Sequence, residues 1–133
     1  MYFADSVRDV IWSFDYDLQA GEMSNERVFV DGAANPGYPD GSCVDADGCL
    51  WNAEYGGARV VRYTPQGKVD RVIELPVQNP TCCCFGGKRL DTLYVTTAAQ
   101  GLKEADLEKQ PLAGSLFAVR PGVAGLPESR FAG

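Results

Sequence analysis

The sequence contains no histidine. That absence excludes the Ser-His-Asp and Cys-His nucleophile arrangements, which need an imidazole base. It also excludes every zinc site built on imidazole ligands. Catalysis by these residues must run on carboxylates, or on a hard metal ion held by oxygen ligands. Positive charge is scarce too: 12 Lys and Arg against 18 Asp and Glu leave a net charge of −6. No basic surface is available to neutralise phosphates, so nucleic acid is not an expected partner. Long apolar runs are missing, and none approaches the length of a transmembrane helix. The first residues carry no basic start, apolar stretch and cleavage site of a secretory signal. A cytoplasmic protein with no membrane partner is therefore expected.

A disulfide framework is the last thing missing. Five cysteines are an odd number, and Cys82, Cys83 and Cys84 are adjacent. They read as reduced thiols. On a strand Cys82 and Cys84 face one way and Cys83 the other, so one metal ion does not easily collect all three. Small, buried, inert thiols are the expectation.

What is present is an alternation of short apolar runs and turns. Strands are expected over Met1 to Ala4, Val10 to Tyr16, Glu26 to Val30, Ser42 to Asp45 and Cys49 to Ala53. They continue over Arg59 to Tyr63, Val69 to Glu74, Thr81 to Phe85, Thr92 to Thr97, Ser115 to Arg120 and Ser129 to Ala132. Aromatic and β-branched residues dominate these runs, and Gly, Pro, Asn and Asp separate them. Asp47-Gly48 stands between two of the runs, and Asp-Gly is a strong hairpin signal because type I′ turns need positive φ at both centres. The segment Ala98 to Ala113 interrupts the pattern. Within it, Leu102 to Gln110 has only a weak apolar stripe of helical spacing, and it reads as a solvated excursion, with a lid over a channel mouth as the alternative.

The pattern repeats. Pro39-Asp40-Gly41-Ser42-Cys43 corresponds to Pro80-Thr81-Cys82-Cys83-Cys84, and Cys49-Leu50-Trp51 to Thr92-Leu93-Tyr94. Ala58 to Tyr63 corresponds to Gly114 to Val119, and the first thirty residues match the later part of the same unit. Four short strands per repeat, at roughly 40 to 50 residues, are the mark of a propeller blade. An immunoglobulin-like sandwich also has short strands, but it does not account for the repeat. The expected fold is all-β: about two and a half blades of four-stranded antiparallel sheet, with residues 1–31 a partial blade, 32–79 a blade and 80–133 a C-terminal blade.

Asp40 is the candidate site residue. In Tyr38-Pro39-Asp40-Gly41 it reads locally as a turn residue. The repeat, however, puts it at the opening of an innermost strand, facing a central channel, with Thr81 in the same place one blade later. Trp12, Trp51, Tyr63 and Tyr94 read as packing between blades. Asp45-Ala46-Asp47-Gly48 superficially resembles the start of a calcium loop, but Cys49 and Gly56 stand where oxygen ligands belong, so a hairpin turn is the better reading.

Tyr2-Phe3-Ala4-Asp5-Ser6, Phe14-Asp15-Tyr16-Asp17, Pro39-Asp40-Gly41, Gly48-Cys49-Leu50-Trp51 and Pro80 to Gly87 together resemble the SMP-30/gluconolactonase proteins, the regucalcin family. The closing Ala113 to Phe117 and Phe131-Ala132-Gly133 are similar to that family's C-terminal blade. The resemblance implies a fragment of a six-bladed β-propeller, the C-terminal part of a lactonase that hydrolyses aldonolactones to aldonic acids. It implies one divalent metal ion (Ca, Zn, Mg or Mn) bound in the channel, with Asp40 as metal ligand and catalytic general base. The family's other ligands are a Glu from the first blade and an Asn just upstream of the Tyr-Phe-Ala-Asp-Ser strand. These, and the Arg and Asn that contact substrate, have no counterpart here. The chain thus resembles a truncated reading frame, an internal start or a deliberate fragment. A catalytically inactive propeller piece and a calcium-binding regucalcin-like protein are the alternatives. The expected partners are a small-molecule sugar lactone and, for a partial ring, a homo-oligomer or a complementing chain.

Overall fold

The computed structural model describes residues 1–128, so the strand expected over Ser129 to Ala132 lies outside the described residues. Ten strands form three antiparallel sheets. The first holds β1 (Tyr2–Asp5), β2 (Val10–Asp17) and β3 (Glu22–Asp31), in that order. The second holds β4 (Tyr38–Val44), β5 (Leu50–Tyr55), β6 (Arg59–Tyr63) and β7 (Val69–Glu74). The third holds β8 (Pro80–Gly86), β9 (Thr92–Thr97) and β10 (Leu116–Val119), ordered β10-β9-β8. Each sheet is an up-and-down meander, and the three stack face to face as successive propeller blades. The edge strands β4 and β8 lie side by side, with β1 next to β4.

The packing explains why the middle sheet reads as unbroken apolar runs. Successive side chains of a strand point to opposite faces, and here both faces are covered. Leu50 turns to one side, joining Val61 and Tyr63 against Ile11 and Val30 of the first sheet. Trp51 turns to the other, joining Ala53 and Val60 against Cys83, Leu93 and Val95 of the third. Phe85 meets the Trp51 ring edge-on, with centroids 6.0 Å apart.

Two strands begin well before their expected first residue: β4 at Tyr38 rather than Ser42, and β3. β3 begins at Glu22 rather than Glu26, because its outer half is exposed on both faces and shows no alternation. The preceding turn is closed by the Asp17 carboxylate, which accepts from the amides of Gln19 and Ala20 at 2.8 and 3.0 Å. The excursion after β9 holds one short helix, α1 (Glu104–Lys109), with no buried residue. Among the described residues no helix is long and apolar enough to cross a membrane.

The Asp45 turn is a hairpin, with the Gly48 amide donating to the Asp45 carbonyl at 3.0 Å and Gly48 at φ +78°. The Asp45 carboxylate is wholly buried and engaged inward. One oxygen accepts from the amides of Asp47 and Cys49, both at 3.0 Å. The other accepts from Trp51 Nε1 and Arg62 Nε, both at 2.8 Å. Arg62 also reaches Asp47 and Asp70 at 2.8 Å each. Burial by itself would raise the Asp45 pKa, but the donors from Arg62, Trp51 and Cys49 prevail and hold it below the ordinary carboxylate range.

Candidate functional site

Pro39, Asp40 and Gly41 enter β4 through a β-bulge. Pro39 pairs with Glu54 and Ser42 with Asn52, so Asp40 and Gly41 together oppose Ala53. A bulge puts one extra residue into a strand and re-aims its side chains, a device common beside functional sites. β8 repeats it: Pro80 pairs with Thr97 and Cys82 with Thr96, leaving Thr81 as the extra residue.

Three neighbours fix the Asp40 bulge. Asn52, fully buried, donates from Nδ2 to the Asp40 carbonyl at 2.8 Å and to Ser42 Oγ at 2.9 Å. Ser6, just beyond β1, donates to the Pro39 carbonyl at 2.6 Å. Gly41 packs on β8 so closely that a Cβ there would sit 2.5 Å from Cys82 Cβ and 2.7 Å from its Cα. Only glycine lets the backbone approach that far. The bulge is thus held from all three sheets at once.

The Asp40 carboxylate lines an open groove with Ser6, Val7, Tyr38 and Tyr55. Tyr38 stands largely exposed at its rim, and the Tyr55 hydroxyl donates to the Gln100 carbonyl at 3.2 Å. Partial burial raises the Asp40 pKa above its ordinary value, and the Gly41 amide offsets this only in part. Asp40 and Asp45 are five residues apart and opposite in character. Asp45 is saturated by internal donors, whereas Asp40 has no side-chain cation beside it among the described residues and stays available.

Thr81 takes the equivalent place on β8 but does not line this groove; its hydroxyl shares a 2.8 Å hydrogen bond with that of Thr96. Cys82 and Cys84 are exposed and Cys83 is buried, with its sulfur 3.9 Å from that of Cys43. The hydrogen bond with the Cys43 thiol, and then burial, push the Cys83 pKa upward, which suppresses the thiolate.

A divalent cation of the calcium type takes six to eight oxygen ligands. Asp40 suits such an ion as one hard donor in an open groove. No group of three His, Cys, Asp or Glu side chains converges among the described residues, and the Ser6 hydroxyl is engaged with Pro39. The described residues therefore offer one ligand and do not make a metal site by themselves. Asn52 escaped the sequence reading, although an amide in the middle of the apolar run Leu50–Ala53 was its signal. Tyr55 and Ser6 carried none, because only the stacking of sheets brings them to Asp40.

The model of the SMP-30/Gluconolactonase/LRE-like region matches residues 1–99. The chain belongs to that family. Regucalcin of Oryctolagus cuniculus is 43% identical over 99% of this chain and 45% of its own length, and regucalcin of Sus scrofa 44% over the same shares. Among solved structures, a regucalcin from Agrobacterium tumefaciens, described as a calcium-binding protein, superposes with a TM-score of 0.88 at 31% identity. It is covered to 43%, and this chain to 94%. A luciferin-regenerating enzyme gives 0.84 at 33%, over 95% of this chain and 43% of its own. The chain thus spans less than half the length of the relatives it matches, and its three sheets form a partial propeller.

Proposed function

We propose that the chain is the part of a divalent-metal-dependent sugar-lactone hydrolase that carries the Asp40 carboxylate, and that the protein converts aldonolactones to aldonic acids. The observation supporting this most directly is a half-buried carboxylate, held by a bulge in an open groove, with desolvation raising its pKa and no side-chain cation beside it among the described residues. Such a group suits two tasks: donating an oxygen to a hard cation, and accepting a proton from an attacking water. A bound divalent ion would supply Lewis-acid stabilisation of the developing oxyanion. The lactone lies in the groove between Tyr38 and Tyr55, and Asp40 holds the water and takes its proton. Asn52 keeps the Asp40 backbone, and so the carboxylate, in place. The remaining ligands come from outside this sequence.

A non-catalytic calcium-binding role uses the same carboxylate, and the name of the Agrobacterium relative favours weighing it. One experiment separates the two. In a chimaera, the upstream portion of a regucalcin relative is joined to this chain, and divalent-metal affinity and lactone hydrolysis are measured for wild type and Asp40→Asn. Loss of both metal affinity and hydrolysis in the variant is expected. Metal binding without hydrolysis in the parent chimaera would support the calcium reading. Unchanged affinity and turnover in Asp40→Asn would overturn both.

A further inference from the structure

Two thiols meet between the second and third sheets, and nothing in the Asp40 groove uses them. Cys43 on β4 and Cys83 on β8 approach across the seam, with their sulfurs in hydrogen-bond contact at 3.9 Å. The strand backbones meet just before them: a Cβ on Gly41 would stand 2.7 Å from the Cys82 Cα. The Cys83 sulfur is held from a second side as well, 3.5 Å from the Trp51 carbonyl, to which its S–H can donate. A disulfide places its sulfurs about 2.0 Å apart, so the pair has about 2 Å left to close. Rotation about the two Cα–Cβ bonds covers a distance of that size.

The two thiols are unequal. Cys83 is 2% exposed, and its raised pKa keeps it protonated. Cys43 is only half-buried, so a small oxidant meets it first. The other cysteines lack this arrangement. Cys49 is buried elsewhere in the second sheet, and Cys82 and Cys84 stand on the opposite face of β8 from Cys83. Among the described residues no other two thiols are in hydrogen-bond contact.

We propose that Cys43 and Cys83 are a redox-modified pair, which hydrogen peroxide converts to a disulfide tying the second sheet to the third. The Cys43 thiolate attacks one peroxide oxygen and the O–O bond breaks. Cys43 becomes a sulfenic acid, and the departing hydroxide takes up the Cys43 proton as water. The Cys83 sulfur then attacks the Cys43 sulfur. The S–S bond forms, the S–O bond breaks, and the hydroxide leaves with the Cys83 proton as a second water. Two thiols are oxidised by two electrons and one peroxide is reduced to two waters. Cys43 follows Asp40 on the same strand, so the bond fixes the far end of the bulge that carries the carboxylate. Neither metal nor lactone enters this chemistry, and the lactonase reading can fail without touching it.

The test protein is the 133-residue chain carrying Cys82→Ser and Cys84→Ser, two exposed positions, with folding checked by circular dichroism. Of the five cysteines, Cys43, Cys49 and Cys83 remain. It is treated with an equimolar amount of hydrogen peroxide and read by intact mass and by thiol titration in denaturant. The titre should fall by two thiols, the mass by two hydrogens, and dithiothreitol should reverse both. Tandem mass spectrometry of the digest should join residue 43 to residue 83. Adding Cys43→Ser should abolish the link. The same link is expected in the wild-type chain, where no substitution can have disturbed the fold. Full retention of the thiols overturns the proposal, and so does a link through Cys49 or between two chains. A Cys43 that gains two oxygens instead of a partner overturns it too.

Discussion

Replacing Asp45 by Asn tests the reading of the buried cluster under the β4–β5 turn. The two residues have nearly the same shape, so the change is in hydrogen bonding and charge alone. All four groups that meet the carboxylate are donors: the amides of Asp47 and Cys49 on one oxygen, Trp51 Nε1 and Arg62 Nε on the other. A side-chain amide can accept on one side only, so its NH₂ would face either two backbone amides or an indole and a guanidinium. Arg62 keeps Asp47 and Asp70, whose side chains are 63% and 35% exposed. It is therefore weakened rather than orphaned. Losing one member of a buried, hydrogen-bonded ion pair costs about 3–5 kcal/mol. For a domain of this size that lowers Tm by roughly 10–20 °C. The assay is urea unfolding at pH 7, with Asp47→Ala as a control expected to lose under about 1 kcal/mol because Asp47 is itself exposed and Arg62 keeps Asp45 and Asp70. The pH dependence has a definite sign. The folded-state pKa of Asp45 is depressed, so its contribution is full above the unfolded carboxylate pKa of about 3.9 and is lost as pH falls through the folded value. The gap between wild type and Asp45→Asn should therefore close below that range. A loss under about 1 kcal/mol at pH 7 with an unchanged m-value would refute the argument, because two buried donors facing the amide NH₂ would then be nearly free.

Asp40→Asn should move stability the other way. Burial raises the Asp40 pKa, so the ionised side chain opposes folding, and the wild type gains stability as pH falls through the folded pKa. At pH 7 the variant's urea midpoint should be at or above that of wild type, with the difference gone near pH 3; a lower midpoint at pH 7 would mean the carboxylate has a stabilising partner. Gly41→Ala should destabilise by about 1–3 kcal/mol through overpacking. Removing the Cys82 sulfur by Cys82→Ala should not rescue it, because the Cβ and Cα of residue 82 remain within 2.7 Å of the added methyl. Full rescue in the double variant would show that the sulfur alone sets the spacing.

Strands rich in β-branched and aromatic residues were readable from the sequence, whether buried or, like Val69–Glu74, largely exposed. Arg59–Tyr63, Val69–Glu74 and Thr92–Thr97 form strands with the expected boundaries, because β-branched and aromatic residues there fit a pleated surface. The first residues of β4 were harder. Tyr38, Pro39 and Gly41 spell a turn locally, and the chain indeed bends there, but as a bulge inside a strand whose pairing with Tyr55 and Glu54 is nonlocal. Asp40 was visible as a candidate because the repeat aligns it with Thr81 and because Pro39-Asp40-Gly41 resembles a family motif. Its surroundings were not, since Ser6, Tyr55 and Cys82 come from three different sheets and no spacing along the chain encodes their meeting. Asn52 was in plain view as a polar residue in a buried run, yet its role depends on an oxygen that only the bulge presents.

The three sheets are not tied together equally, and that sets an order in which the molecule opens. The segment after β10 crosses back to the second sheet: Ala46 donates to the Ala124 carbonyl, Asp45 and Gly125 form an isolated bridge, and Gly125 donates to the Leu90 carbonyl. Between the first and second sheets the polar ties are side-chain ones, from Ser6 to Pro39 and from Asn35 to Tyr63. Amide protons exchange through the least costly opening that frees them. In deuterium exchange, the amides of β2 and β3 should therefore label as one group before those of β5, β6 and β9, with the Asp40 groove losing its Ser6 wall in that same early event.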